Sequence, residues 1–352
     1  MEKSNEPLVG IAIPVYNGAQ FIRECLDHII DQTYTNWICV VTDNNSNDGT
    51  YEIVLDYVRN NARFKVFRNA KTTTPWENFN IAYNNLNDVC NPKYSIEFPA
   101  DDWMFPTCLE KKVNMLETHH DVGMSLSYSI CGSEVIYGGV LDYEKGEIFN
   151  GRELLHDYLK HDAYMVGNLG TPMYRVDALR KINPHLRVYN EKNIHCDVEL
   201  ANDVLRDWNV GMIYEILNYY RIHEGQGLTF ARRFNTDLYG HEVEFQKHMD
   251  LFDDLEKEYQ QHRIDYALFL LKMRRENKTD VIAWHEKYLV EHLHIPITKS
   301  EYRRAIVRYS KRAINSSWSA FMSFWDVLFL YRYRKKKNVD NDLHELRQQS
   351  YI

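Results

Sequence analysis

From its amino end the chain alternates short apolar runs with amphipathic stretches. Residues 8–14 are an unbroken apolar run closed by a proline, which predicts a strand buried on both faces. Phe21, Ile22, Cys25, Leu26, Ile29 and Ile30 then recur at three-then-four spacing, the signature of one helical face. Residues 37–42 repeat the buried-strand pattern, Ile53, Val54, Tyr57 and Val58 give a second helical face, and residues 64–67 a third strand. A helix over 78–86 leads to a strand over 94–98. Thr107 and Glu110 then form a T-x-x-E capping box for a helix whose face is Leu109, Val113 and Leu116. Such strand–helix alternation builds a parallel sheet. Further on the pattern predicts strands at 124–130 and 134–137, a helix at 153–159, a short edge element at 171–174, a helix at 197–207 and a strand at 210–221. Past about residue 235 the strand signals stop, and amphipathic helical stretches over 244–275 and 280–293 take over. Two domains follow: an α/β domain over 1–235 and a helical region over 236–352.

Composition narrows the class without changing this picture. At 352 residues, 44% hydrophobic and 26% charged, the chain can bury a sizeable core. A net charge of −8 offers no general attraction for nucleic acid. The six cysteines are scattered with no C-x-x-C pair and read as buried thiols of a reducing compartment. The first ten residues hold no apolar signal core, and no stretch reaches the ~20 apolar residues that span a bilayer. The expected location is cytoplasmic.

Candidate chemistry collects where predicted strands end, the place at which open α/β sheets bind ligands. Pro14-Val15-Tyr16-Asn17 follows the first strand, Asp43-Asn44-Asn45-Ser46-Asn47-Asp48-Gly49 the second, and Asp101-Asp102 the fourth, with Asp197 further along. Neither a G-x-G-x-x-G nor a phosphate-binding G-x-x-x-x-G-K-[ST] is present. A pair of carboxylates on a tight loop is a common holder of Mg²⁺ or Mn²⁺, which share oxygen ligands with substrate phosphates. Taken alone, an Asp-Asp pair is more often a solvated turn.

With these residues in order, the chain resembles the family-2 glycosyltransferases of GT-A fold. The resemblance runs through VGIAIPVYNGAQFIRECLDHIIDQTYTNWICVVTDNNSNDGT, WENFNIAYNN, IEFPADDWMFP, NLGTPMYRVDAL, CDVEL and YYRIHEG, over roughly residues 8 to 230. It implies a Rossmann-like, mostly parallel sheet flanked by helices, and inverting transfer from a nucleotide-diphosphate sugar, a UDP-sugar first, to a glycan or lipid-linked acceptor. By the same resemblance Pro14, Val15, Tyr16 and Asn17 line the donor pocket and Asp43 reaches the base or ribose. Asn78 faces the donor, and Arg221 and His223 lie near its diphosphate. Asp101 holds Mn²⁺ or Mg²⁺, with Asp102 supporting it or binding the ribose or sugar, and Asp197 is the general base. Trp103, His195 and Glu199 fall on the acceptor side. One departure stands out: Pro99 occupies the position of the first aspartate of the family's D-x-D. It motivates a competing reading, a non-catalytic nucleotide- or sugar-binding protein with a degenerate site. A nucleotidyltransferase is a distant third, since the loop Tyr16-Asn17-Gly18-Ala19-Gln20 has no basic residue.

The carboxyl-terminal hundred residues carry a separate signal. Arg303, Arg304, Arg308, Lys311 and Arg312 precede a helical stripe of Trp318, Phe321, Met322, Trp325, Leu328 and Phe329, and Tyr331-Arg332-Tyr333-Arg334-Lys335-Lys336-Lys337 follows it. Aromatic and basic residues so arranged suit peripheral contact with an anionic membrane face. Packing on the chain itself, or on a second copy in a homo-oligomer, is the alternative.

Overall fold

The computed structural model describes residues 6–131, 134–136, 146–161, 169–182, 196–223 and 233–313. His195 and the aromatic and basic stretch from Trp318 to Lys337 lie outside them. The chain divides into two compact units, residues 1–229 and 230–352.

The first unit is an α/β sheet with helices on its faces. Its strands are β1 (Val9–Val15), β2 (Trp37–Asp43), β3 (Phe64–Arg68), β4 (Tyr94–Glu97), β5 (Trp103–Met104), β6 (Val122–Cys131), β7 (Glu134–Ile136), β8 (Ile148–Phe149), β9 (Met173–Arg175) and β10 (Asn209–Tyr220). Its helices are α1 (Ile22–Ile30), α2 (Thr50–Asn60), α3 (Pro75–Val89), α4 (Cys108–Thr118), α5 (Gly151–His161), α6 (Val176–Ile182) and α7 (Cys196–Leu205). The sheet runs β3-β2-β1-β4-β9-β6-β10-β5. β3, β2, β1 and β4 are mutually parallel, β9 inserts antiparallel between β4 and β6, and β10 runs parallel to β6. Every residue of β1 is buried, as an uninterrupted apolar run between two neighbours requires.

Local chemistry sets the element ends. Thr74 caps α3 by accepting the Glu77 N–H at 3.3 Å, with Pro75 in the first turn. Gly49 enters α2 at φ 95°, a backbone geometry that glycine adopts without strain. The expected capping box at Thr107 does not form: Thr107 makes no side-chain cap, and Glu110 instead accepts the Thr33 hydroxyl at 2.7 Å.

The second unit is helical. Helices Thr236–His248, Glu256–Arg275, Thr279–Lys287 and Lys299–Ala313 surround a core of Tyr239, Val243, Tyr266, Leu270 and Leu289. The helix expected over 244–275 is thus two helices, parted at residues 249–255. Glu242 lies buried within this unit, its carboxylate shared by His262 (3.1 Å), Arg263 (3.3 Å) and the Tyr259 hydroxyl (3.0 Å). No described helix is long and apolar enough to cross a membrane.

Candidate donor and metal site

In a parallel arrangement all chain-carrying loops after β1, β2 and β4 leave from one edge. Register pairs Val15 with Asp43, so the loops after β1 and β2 emerge side by side. They are stitched together by short-range chemistry. The Asn17 N–H donates to Ser46 Oγ (2.8 Å), Gly18 N–H to Thr50 Oγ1 (2.9 Å), Ala19 N–H to Asp48 Oδ2 (2.9 Å), and Asn47 N–H to Asn17 Oδ1 (3.0 Å). Asn17 sits at φ 49° to make this turn, a conformation that asparagine tolerates. Pro14 and Val15 are buried beneath the turn, while Tyr16 is 52% exposed above it. An exposed ring of this kind, on a fixed backbone, can stack on a planar base.

Asp43 is fully buried. Its two oxygens accept the Ser46 N–H at 3.2 and 3.3 Å, and Arg68 Nε stands 3.2 Å away. In this conformation the carboxylate shapes the loop from below instead of opening onto it. Arg68 also donates to the Ser46 carbonyl at 2.6 Å and lies over the Tyr51 ring. Asn78 is buried too: it accepts from Asn69 Nδ2 (2.8 Å), which in turn reaches Asn44 Oδ1 (3.0 Å), a chain of amides bracing α3 against the loop.

The acidic loop after β4 separates its two carboxylates. Asp102 is buried and accepts the Arg221 N–H at 2.9 Å, fixing the end of β10. Asp101 faces outward, part exposed, with Oδ2 2.8 Å from His223 Nε2. The Arg221 side chain closes the group: Nε donates to the Asp101 carbonyl at 2.9 Å, the guanidinium pairs with Glu24 of α1, and Phe21 lies under it at 5.2 Å. Phe21 also packs on His223, ring centroids 4.7 Å apart. The two expected metal ligands thus have different surroundings. Asp101 and His223 converge, while Asp102 turns inward to a backbone amide. The Asp101 carboxylate suits Mn²⁺ or Mg²⁺, hard cations that take few protein oxygens and complete their shells with water or phosphate, whereas the His223 imidazole beside it is a nitrogen donor that Mg²⁺ disfavours. Among the described residues no group of three or more His, Cys, Asp or Glu forms a complete cage.

Asp197 lies in the first turn of α7 and accepts the Val198 N–H at 3.0 Å. α7 runs back toward the start of β10, so its amino end stands at the carboxyl edge of the strands. Burial first, and the Asp197 and Glu97 carboxylates next, push the Tyr174 hydroxyl and the Cys196 thiol well above their ordinary values. Asp197 and Glu97 thus share one neighbourhood beside β4 and β9. Glu199 is buried on the inner side of α7. Trp103 does not offer a free face, because its ring stacks on His28 (4.5 Å) and on Tyr219 (4.8 Å). This stacking ties α1 to β5 and β10.

Three residues at this edge escaped the reading of the sequence. Phe21, counted on the core face of α1, lies before the helix and packs on Arg221 and His223. Glu24 and Arg68 had no motif to mark them. Their only signal is a charge one turn into a helix and one at the last residue of a strand.

Residues 10–182 match the model described as glycosyl transferase family 2. A Haemophilus influenzae protein named as an uncharacterized glycosyltransferase is 26% identical over 251 residues, covering 68% of this chain and 70% of that protein. Bacillus subtilis EpsE, also named as a glycosyltransferase, is 31% identical over 198 residues, covering 55% and 65%. Among solved structures, Staphylococcus aureus TarS 1–349 in complex with UDP-GlcNAc superposes with a TM-score of 0.52 at 16% identity, covering 78% of this chain and 89% of that one. The mannosyltransferase PcManGT of Pyrobaculum calidifontis, in complex with GDP-Man and Mn²⁺, does so with 0.53 at 13%, covering 99% and 88%. At such identities the likeness is one of fold.

Proposed function

We propose, from the match of residues 10–182 to the glycosyl transferase family 2 model, that this chain is an inverting glycosyltransferase of that family. It moves a sugar from a nucleotide-diphosphate donor, a UDP-sugar first, to a hydroxyl of a glycan or lipid-linked acceptor. The observation that carries this reading is the meeting of Asp101, Arg221 and His223 beside the stitched loops after β1 and β2. The neighbours solved with UDP-GlcNAc, and with GDP-Man and Mn²⁺, support a nucleotide-sugar donor and a divalent cation.

The chemistry follows from charge. Inversion requires the acceptor oxygen to attack the anomeric carbon on the face opposite the diphosphate, so a proton must be removed there as negative charge builds on the leaving group. Asp197 takes the acceptor proton at its carboxylate. Arg221 neutralises the diphosphate oxygens, a preorganised cation being worth most where water is excluded. Tyr16 and Asn17 receive the base, on the loop that Asp43 and Asn78 hold in shape. Asp101, supported by Asp102 and with His223 beside it, would hold Mn²⁺ or Mg²⁺, whose chemistry when bound is to neutralise the diphosphate. His195 and Glu199 remain assigned to the acceptor side. A cytoplasmic location, with peripheral contact at the inner face of a membrane, belongs to the same reading.

Donor hydrolysis and transfer, measured with and without Mn²⁺ in the wild type, Asp101→Ala and Asp197→Ala, test it. Each variant should lose at least ~100-fold in turnover, and Asp101→Ala should also lose stimulation by Mn²⁺. Metal-independent donor binding, with no turnover on a broad acceptor panel, would replace the enzyme by the binding module that Pro99 motivates.

A further inference from the structure

Helix Lys299–Ala313 presents two chemically different sides. Its inner side is committed to the helical unit: Ala305 is fully buried and Tyr302 packs against the core of Tyr239 and Tyr266. The acids near it are already engaged, Glu301 by Arg263 (2.8 Å) and Asp265 by Arg308 (3.4 Å). The outer side carries Lys299, Ser300, Arg303, Arg304 and Val307, all exposed, and no acidic residue. Val307 is 56% exposed, and Ile306 on its flank 51%. Lys299, Arg303 and Val307 follow one another at i, i+4 spacing, so they form a single row along the helix. This basic row stands on a chain of net charge −8.

We infer that the outer face of helix Lys299–Ala313 docks on an anionic lipid surface. Charge complementarity selects the partner. Lysine and arginine on this face attract the phosphate headgroups of acidic lipids, and the exposed Val307 beside them can enter the headgroup boundary, which a purely ionic contact with nucleic acid would leave exposed. The sequence that follows repeats the theme, with Trp318, Phe321, Trp325 and Phe329 ahead of four consecutive basic residues, Arg334 to Lys337. The inference rests on the membrane contact of the proposed function and locates it, while its failure would leave the catalytic reading standing, because none of these residues belongs to the donor or metal site.

The test is co-sedimentation of the full chain with vesicles of phosphatidylcholine alone and of phosphatidylcholine with phosphatidylglycerol, at low and high salt. Binding is expected only to the acidic vesicles and should weaken at high salt. Each basic residue near such a surface contributes about fivefold in affinity, so Arg303→Gln with Arg304→Gln should cost ~25-fold. Val307→Ser should weaken binding with no change in its salt dependence. Circular dichroism and donor binding, both expected unchanged, show that the variants are folded. Equal binding to neutral vesicles overturns the inference. So does wild-type affinity in the double variant, which would assign docking to residues 318–337, and so does tighter binding to duplex DNA than to acidic vesicles.

Discussion

Acidification from pH 6.5 to 4 should weaken the helical unit through a single buried imidazole. His285 is fully buried; its Nε2 lies 2.6 Å from the Phe234 carbonyl and its Nδ1 2.6 Å from the Tyr266 hydroxyl. A carbonyl can only accept, so Nε2 carries the hydrogen and Nδ1 accepts from the tyrosine: the neutral ring satisfies both neighbours. Burial holds its pKa down, from the ordinary 6.5 to about 4. The sign follows directly. Above pH 6.5 the ring is neutral in both folded and unfolded chains. Between 6.5 and 4 only the unfolded chain takes the proton, so stability falls as pH falls, and below about 4 the loss levels off. A gap of about 2.5 units at ~1.36 kcal/mol each makes that loss roughly 3 kcal/mol. Urea unfolding from pH 7.5 to 4, wild type against His285→Gln, isolates it, since Gln does not titrate. The difference between the two should shift against the wild type across this window. Parallel curves, or a proton-exchange pKa for His285 at 6.5 or above by NMR, would refute the reasoning.

Gly151→Ala should cost about 3 kcal/mol or more, since the added carbon would lie 1.9 Å from the Trp208 carbonyl oxygen and 2.4 Å from that of Leu205; thermal unfolding checks it. Arg68→Ala leaves the buried Asp43 carboxylate without its cation, a loss of ~2 kcal/mol after allowing for the partial exposure of Arg68. It should raise the donor KM, and adding Asp43→Asn should restore stability. Asp102→Ala should lower kcat/KM about tenfold without moving the Mn²⁺ half-saturation, because Asp102 acts on the Arg221 backbone, whereas Asp101→Ala should move that half-saturation itself.

The sheet was legible because its central strands are continuous apolar runs, and little but a buried parallel strand fits VGIAIP or WICVV between helical periods. What the sequence hid depends on partners distant along the chain. Thr107 and Glu110 have the spacing of a capping box, yet Thr33, 77 residues away from Glu110, takes the carboxylate. The apolar periodicity of α1 includes Phe21 but cannot tell that a cation and an imidazole will cover the ring. Trp103 follows the acidic loop in sequence, but nothing local shows that its ring will stack on His28 and Tyr219. The helix over 244–275 is periodic throughout, and its interruption follows a local turn at Met249–Leu251 that periodicity does not register.

The departure at Pro99 has a physical account of the same long-range kind. The Pro99 carbonyl accepts the Asp102 N–H at 3.3 Å and the Cys25 thiol at 3.7 Å, and Gly170 leaves room for its ring, since an added carbon there would meet it at 3.0 Å. The loop is therefore fixed by packing at the place where a first carboxylate would otherwise project. Beside Asp101 stands His223 instead, 122 residues further on. Its delivery depends on β10, whose pairing with β6 shifts register between Ile213 and Ile216 and again before Asn218. Such irregularities re-aim the end of a strand, and here the re-aimed end carries Arg221 and His223 to the acidic loop. If that coupling is what replaces the missing acid, restoring it locally should relieve the need for the imidazole. Pro99→Asp in a His223→Ala background should recover part of the Mn²⁺ dependence that His223→Ala loses, and no recovery would mean that the two positions do not serve one cation.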